Sequence, residues 1–203
     1  MRSLLRFKNQ KNRKTEMKKI SENFLYQGRW LSLKRNVFTN SEDKEVVWES
    51  VERNNNSFSI GIIAKLTPLN RYILIKQFRQ AINNYVIGLP AGIIDPSITS
   101  KKQWDDCILQ ELKEETGYTG TIKAKSPMLK LNPATMNNDF IIVSVEINEN
   151  DPVNINTRQR LEPAEEIELA LVEQTKIKTL LLEQKKQGAD IGSGLWFLLY
   201  DLN

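Results

Sequence analysis

A single capped helix set between two strand-rich stretches constrains this chain more than any other feature. Residues 101–116 read as that helix: Ser100 and Gln103 have the spacing of a capping box, and Gly117 stands where a glycine closes a helix. Before it, the Ile-rich runs 58–64 and 72–78 read as strands, with Pro68-Leu69-Asn70-Arg71 turning between them. A further strand, 85–89, ends at Pro90-Ala91-Gly92, and a polar loop, 95–100, leads to the helix. After the helix come strand patterns at 128–131, 139–147 and 167–172, then helices near 174–187 and 190–202. Three short strands, at 24–26, 30–33 and 46–48, stand at the front, with a hairpin-like turn at 40–43. Strands, helix, strands, helices is the order of an α+β domain with a mixed sheet.

With 203 residues the chain is long enough to bury a real core. No apolar run approaches the roughly 20 residues that a membrane helix needs, so no membrane partner is expected. The net charge of +4 is local: residues 1–19 hold eight of the 29 Lys and Arg and one of the 25 acids, leaving 21 basic and 24 acidic residues in the rest. The body of the protein is therefore slightly acidic, and no nucleic-acid surface is expected. Residues 1–20 have two readings, a disordered basic extension of a cytoplasmic protein or a targeting segment of mitochondrial type.

Two absences narrow the chemistry. The chain has no histidine, which removes Ser-His-Asp and Cys-His nucleophile systems and His-based zinc sites. Cys107 is the one cysteine, so no intrachain disulfide forms, and a reducing compartment fits. Acid-base chemistry falls to Asp, Glu, Lys or Tyr, and any metal site must be built from oxygen, which suits a hard cation such as Mg²⁺.

The segment Gln110-Glu111-Leu112-Lys113-Glu114-Glu115-Thr116-Gly117-Tyr118 concentrates those oxygens. On a helix Glu111, Glu114 and Glu115 share one side, beside an apolar stripe of Ile108, Leu109 and Leu112. Like charges at that spacing repel. The three are either solvated or neutralised by a cation, and the helix by itself leaves both readings open.

Its surroundings give it more weight. Glu111, Leu112, Glu114, Glu115, Gly117 and Tyr118 match the second half of the Nudix box, and 88–96 resembles the strand and loop that lead into the box in ADP-sugar pyrophosphatases. Trp48-Glu49-Ser50-Val51 with Arg53 resembles the adenine-side segment of that subfamily, and Lys76-Gln77-Phe78-Arg79 its strand before the box. Residues 161–169 resemble the late loop and strand that supply a further carboxylate. The resemblance runs over about residues 22–200. Two departures stand out: Gln110 replaces the box Arg, and the 18 positions from Gly92 to Gln110 exceed the box spacing by four. Either Ile98 or Lys102 then falls where the first box Glu belongs.

The resemblance implies a Nudix fold, a mixed sheet sandwiched between helices, over 57–203, with a small β subdomain at 21–56 that dimerises. It implies hydrolysis of ADP-ribose or a related ADP-sugar to AMP and a sugar 5-phosphate, with Mg²⁺ or Mn²⁺ as cofactor. Glu111, Glu114, Glu115 and the carbonyl of Ala91 are the implied metal ligands. Glu165 is the implied base, with Glu166 its neighbour in register and Glu115 a further catalytic carboxylate. Trp48 would stack on adenine, as part of a homodimer in which it nears the site of the other chain. Glu49, Arg53, Arg79 and Met136, the last in the loop Asn132-Pro133-Ala134-Thr135-Met136, are the other implied substrate residues. The altered box motivates an alternative, a Nudix-fold protein that binds nucleotide sugars without turnover. A third reading is a Nudix enzyme for another nucleoside diphosphate compound. Residues 97–102 are expected to form a surface excursion that leaves the helix register intact.

Overall fold

The computed structural model describes residues 17–201, which divide into two compact units. The expectation for the basic tail lies outside the described residues up to position 16. Lys18, Lys19 and Ile20, assigned to that tail from sequence, instead open the first strand.

The first unit reaches Asn56 and takes in Asn132–Asn138. Strands β1 (Lys18–Gln27), β2 (Leu31–Thr39) and β3 (Glu45–Arg53) form an antiparallel sheet in the order β1-β2-β3. The segment Asn132–Asn138 lies along β3: Val51 bridges Met136, and the Val51 N–H donates to the Thr135 carbonyl at 2.8 Å. The two buried residues of this sheet are polar, Ser32 and Asn36, and each makes a side-chain hydrogen bond, to Asn54 and Ser50. Phe24, Leu25, Tyr26, Trp30, Val47 and Trp48 are exposed.

The second unit carries β4 (Phe58–Thr67), β5 (Arg71–Arg79), β6 (Asn84–Gly88), β7 (Ala91–Ile94) and helix α1 (Lys101–Thr116). Then follow β8 (Thr121–Lys125), β9 (Leu129–Lys130), β10 (Asp139–Asn148), β11 (Ile167–Glu173), α2 (Ile177–Lys186), β12 (Asp190–Ile191) and α3 (Ser193–Asp201). The strands join in one nine-stranded sheet along the path β12-β6-β5-β4-β10-β8, with β11 on β5, β7 on β4 and β9 on β10. It is mixed: β10 runs parallel to β4 and β12 parallel to β6, while the other pairs are antiparallel.

Successive side chains of a strand point to opposite faces. Ile73 and Leu74, neighbours on β5, are both fully buried because both faces of the sheet are covered. Ile73 joins Ile60, Ile62, Leu66 and Val143 against Ile108 and Leu112 of α1. Leu74 joins Ile87 against Ile177 and Leu181 of α2 and Leu195 of α3. The protein is α+β, with its sheet between helices. Each fully buried Ile or Leu contributes about 1.5–3 kcal/mol relative to exposure.

Helix α1 has the bounds and caps that its sequence specifies. The Ser100 side chain accepts the Gln103 N–H, and Gly117 adopts a left-handed φ of 77° and donates to the Lys113 carbonyl. The loop before it is tighter than expected. Lys101 and Lys102 belong to the helix, Ile98 packs against the core, and the Trp104 indole donates to the Ile98 carbonyl at 2.6 Å. The excursion is thus confined to 95–100 and is anchored at Ile98.

Candidate active site

The site is built where α1 meets β7. Glu111 and Glu115, one helical turn apart, both turn toward that strand. The Ala91 N–H donates to Glu115 Oε2 at 2.8 Å, and the Ile93 N–H donates to Glu111. Gly92 stands between these donors. A Cβ there would fall 2.4 Å from Glu111 Cδ, so the Glu111 side chain holds this place against the strand only beside glycine.

Burial changes the chemistry of both carboxyls. Glu115 is only 3% exposed, and burial pushes its carboxyl up to about 8; the same cause pushes Glu111 up to about 7. The N–H bonds from Ala91 and Ile93 oppose this. The charges of Glu165 and Glu111 raise Glu115 further, and those of Glu114, Glu165 and Glu162 raise Glu111. Arg79 pulls Glu115 down.

Glu165 comes from the loop before β11. Its carboxylate accepts the Glu162 N–H at 3.0 Å while its charge acts on both helix carboxyls. Glu166 turns elsewhere: Tyr85 donates its hydroxyl proton to Glu166 Oε1 at 2.5 Å, which raises the Tyr85 hydroxyl above its usual range. Glu114 accepts from Gln110 Nε2 at 3.0 Å. Arg79, Ala91, Glu111, Glu114, Glu115, Glu165 and Glu166 all belong to the second unit; Trp48, Glu49, Arg53 and Met136 belong to the first. In the first unit the Trp48 indole donates to the Ala134 carbonyl at 2.7 Å, Glu49 is exposed, and Arg53 Nε is buried without a hydrogen-bond partner.

Sequence reasoning missed Glu162, the main-chain donors of β7, and Gln159, which hydrogen-bonds the Glu115 and Ile167 carbonyls. None of them has a local signature, because each acts across a distance in sequence.

No family model matches the chain. An uncharacterized Nudix hydrolase of Schizosaccharomyces pombe is 30% identical over 167 residues, 79% of each chain. An ADP-ribose pyrophosphatase of Saccharomyces cerevisiae is 33% identical over 168 residues, 79% of this chain and 71% of the relative. The chain belongs to the Nudix hydrolase family. An ADP-sugar pyrophosphatase of Mus musculus is 26% identical over 79% of this chain and 75% of its own length. The crystal structure of an ADP compounds hydrolase shares the fold, with a TM-score of 0.63 at 18% identity, covering 84% of this chain and 85% of that one.

Nudix ADP-ribose pyrophosphatases generally depend on a divalent metal. Among the described residues no Lys or Arg forms an ion pair with Glu111, Glu114, Glu115 or Glu165. A buried Glu115 beside a half-buried Glu111, with no ion-pair partner and only oxygen to offer, fits a hard cation. Also among the described residues, no three acids are gathered at metal-holding distance. Glu114 and Glu165 are instead engaged in local bonds, with Gln110 and the Glu162 N–H.

Proposed function

We propose that this Nudix hydrolase splits the diphosphate of ADP-ribose or a related ADP-sugar, with Mg²⁺ as its cofactor, to give AMP and a sugar 5-phosphate. The seating of Glu111 and Glu115 on the N–H groups of β7, within reach of the charge of Glu165, carries the proposal, and the relatives named for ADP-ribose and ADP-sugars supply the substrate class. Glu111, Glu114, Glu115 and the Ala91 carbonyl would hold Mg²⁺. When bound, the cation neutralises diphosphate oxygens that would otherwise repel a nucleophile.

Glu165 takes a proton from the attacking water as its oxygen bonds to one phosphorus and the P–O–P bridge breaks. Its loop position leaves it free to reach the ligand, whereas the bond from Tyr85 occupies Glu166. Glu115, the most buried acid of the group, is the catalytic carboxylate on the helix side. Arg79 meets the diphosphate, and the unpartnered Nε of Arg53 is a second donor for phosphate oxygen. Trp48 stacks on adenine, with Glu49 and Met136 as further substrate contacts.

The protein acts in the cytoplasm as a homodimer that uses its three-stranded sheet, whose exposed Leu25, Trp30 and Val47 support an interface. Purified protein with Mg²⁺ is expected to convert ADP-ribose to AMP, and chelation to stop it. Failure to cleave any ADP-sugar with Mg²⁺ or Mn²⁺, with ADP-ribose still bound, would overturn the reading in favour of a binding protein.

A further inference from the structure

Between Asn154 and β11 the chain doubles back across the end of α1. The last carbonyls of a helix have no partner within it. Here Gly117 N–H takes that of Lys113, Arg160 N–H takes that of Glu114 at 2.8 Å, and Gln159 Nε2 takes that of Glu115 at 2.7 Å. The strap presses close: a Cβ on Gly117 would lie 2.7 Å from the Arg158 nitrogen.

One of these bonds does more than finish the helix. Gln159 Nε2 also donates to the carbonyl of Ile167, the first residue of β11, at 3.2 Å. A single half-buried amide thus joins the helix turn that carries Glu114 and Glu115 to the strand that begins two residues after Glu165. Of the contacts on the strap, this one joins the helix that carries Glu111, Glu114 and Glu115 to the start of the strand that the Glu165 loop leads into.

We propose that Gln159 is a positioning residue of the hydrolytic site, fixing the separation of Glu165 from the carboxylates of α1. The proposal rests on the hydrolytic reading above. The chemistry of the position is narrow. Two N–H donors on one nitrogen, at the end of a two-carbon arm, satisfy two carbonyls at once. Leucine has the size but no donor, glutamate would set a carboxylate against two carbonyl oxygens, and asparagine is one carbon short of spanning the gap.

Gln159 bonds only main chain, so its loss should displace the base without touching substrate. Misplacement by about 1 Å costs up to about a hundredfold in rate. In full-length Gln159→Leu, kcat for ADP-ribose is expected to fall about ten- to a hundredfold, with KM within about twofold. Mn²⁺ affinity, followed by the resonance of free Mn²⁺, should stay within about twofold, because Glu111 and Glu115 keep their bonds to β7. Amide exchange in 160–167 should quicken about tenfold while that of α1 does not change. Gln159→Asn, milder for folding, should show the same pattern with smaller changes.

An unchanged kcat in both variants, with an active wild type, overturns the proposal. So does a fall in Mn²⁺ affinity that matches the fall in kcat, which would make Gln159 a helix-end stabiliser alone. Unchanged exchange in 160–167 overturns it whether or not the wild type turns over. A wild type inert on every ADP-sugar defeats the hydrolytic reading instead, and the exchange result then still decides whether Gln159 ties the loop.

Discussion

The three-stranded and nine-stranded sheets solve the same problem in opposite ways. In the nine-stranded sheet alternate residues of β4, among them Ile60, Ile62 and Leu66, are wholly buried, and helices cover both faces. In the three-stranded sheet the buried side chains are Ser32 and Asn36, while Trp30, Val47 and Trp48 face out. One sheet is held by apolar burial. The other is held by its backbone ladder, by side-chain hydrogen bonds, and by Lys34 bridging Glu22 and Glu52. A fold that buries its oily residues in one sheet and displays them in the other has a use for the display, which is why the smaller sheet is the proposed interface.

The sharpest test of this contrast is Ile62→Ala. It should cost about 2–5 kcal/mol of stability in chemical denaturation, through lost burial and a cavity. A cost below about 1 kcal/mol would mean that the nine-stranded sheet does not depend on its core as described. Next in size is a change that should leave stability alone. Glu165→Gln is expected to lower turnover about a hundredfold or more, within the range for loss of a general base, with Mg²⁺-dependent substrate binding kept. Near-normal turnover in Glu165→Gln together with loss in Glu166→Gln would move the base by one residue.

Acidity should then separate the two sheets by sign. Glu111 and Glu115 hold protons more tightly when folded than the usual carboxyl near 4.5. The stability they contribute to the metal-free protein is full below about 4.5 and is lost as pH rises through about 7 and about 8. Lys19 and Lys34 hold Glu22 below the usual range, so its small contribution is present above about 4.5 and is lost on acidification. Protection against amide exchange, corrected for the base-catalysed intrinsic rate, should therefore fall between pH about 5 and about 8 in the nine-stranded sheet and not in β1–β3, and Mg²⁺ should protect most at the higher pH. Equal protection by Mg²⁺ at both ends would remove the helix carboxyls from the metal site.

The smallest effect is expected on the displayed face. Trp30→Ser with Val47→Ser should change the stability of the isolated chain by no more than about 0.5 kcal/mol. Light scattering should nevertheless show the mass falling to that of one chain. An unaltered mass would place the interface elsewhere.

What the sequence disclosed follows the range of the interactions involved. Helix α1 was legible to the residue because Ser100, Gln103 and Gly117 act within a turn of the helix they delimit. Strands β4 and β5 were legible from their Ile-rich runs. Strand β8 was not: its Thr121–Lys125 has little apolar character and exists because β10 offers it an edge. The strand at 85–89 read as ending at Pro90-Ala91-Gly92, yet β4 draws Ala91–Ile94 into a further strand, β7. Asp190 and Ile191 read as helix but pair with β6. The insertion before α1 looked expendable, yet excising four residues from 97–102 would remove either the Ile98 anchor or the first turn of the helix. In the site, the shared face of Glu111 and Glu115 was legible from helical spacing. The strand that receives them, and the Gln159 bond behind them, were set by tertiary structure.

The Gly92 approach also bears on solubility. β7 pairs with β4 along one edge only, and the N–H groups of its other edge, at Ala91 and Ile93, are met by Glu115 and Glu111. The two carboxylates stand in for a missing neighbouring strand. An edge with free N–H groups is a template on which a foreign strand can dock. Replacing both acids by glutamine keeps a carbonyl on each donor and leaves the edge closed. Replacing both by alanine opens it, so alanine variants made to empty the metal site are the ones expected to precipitate.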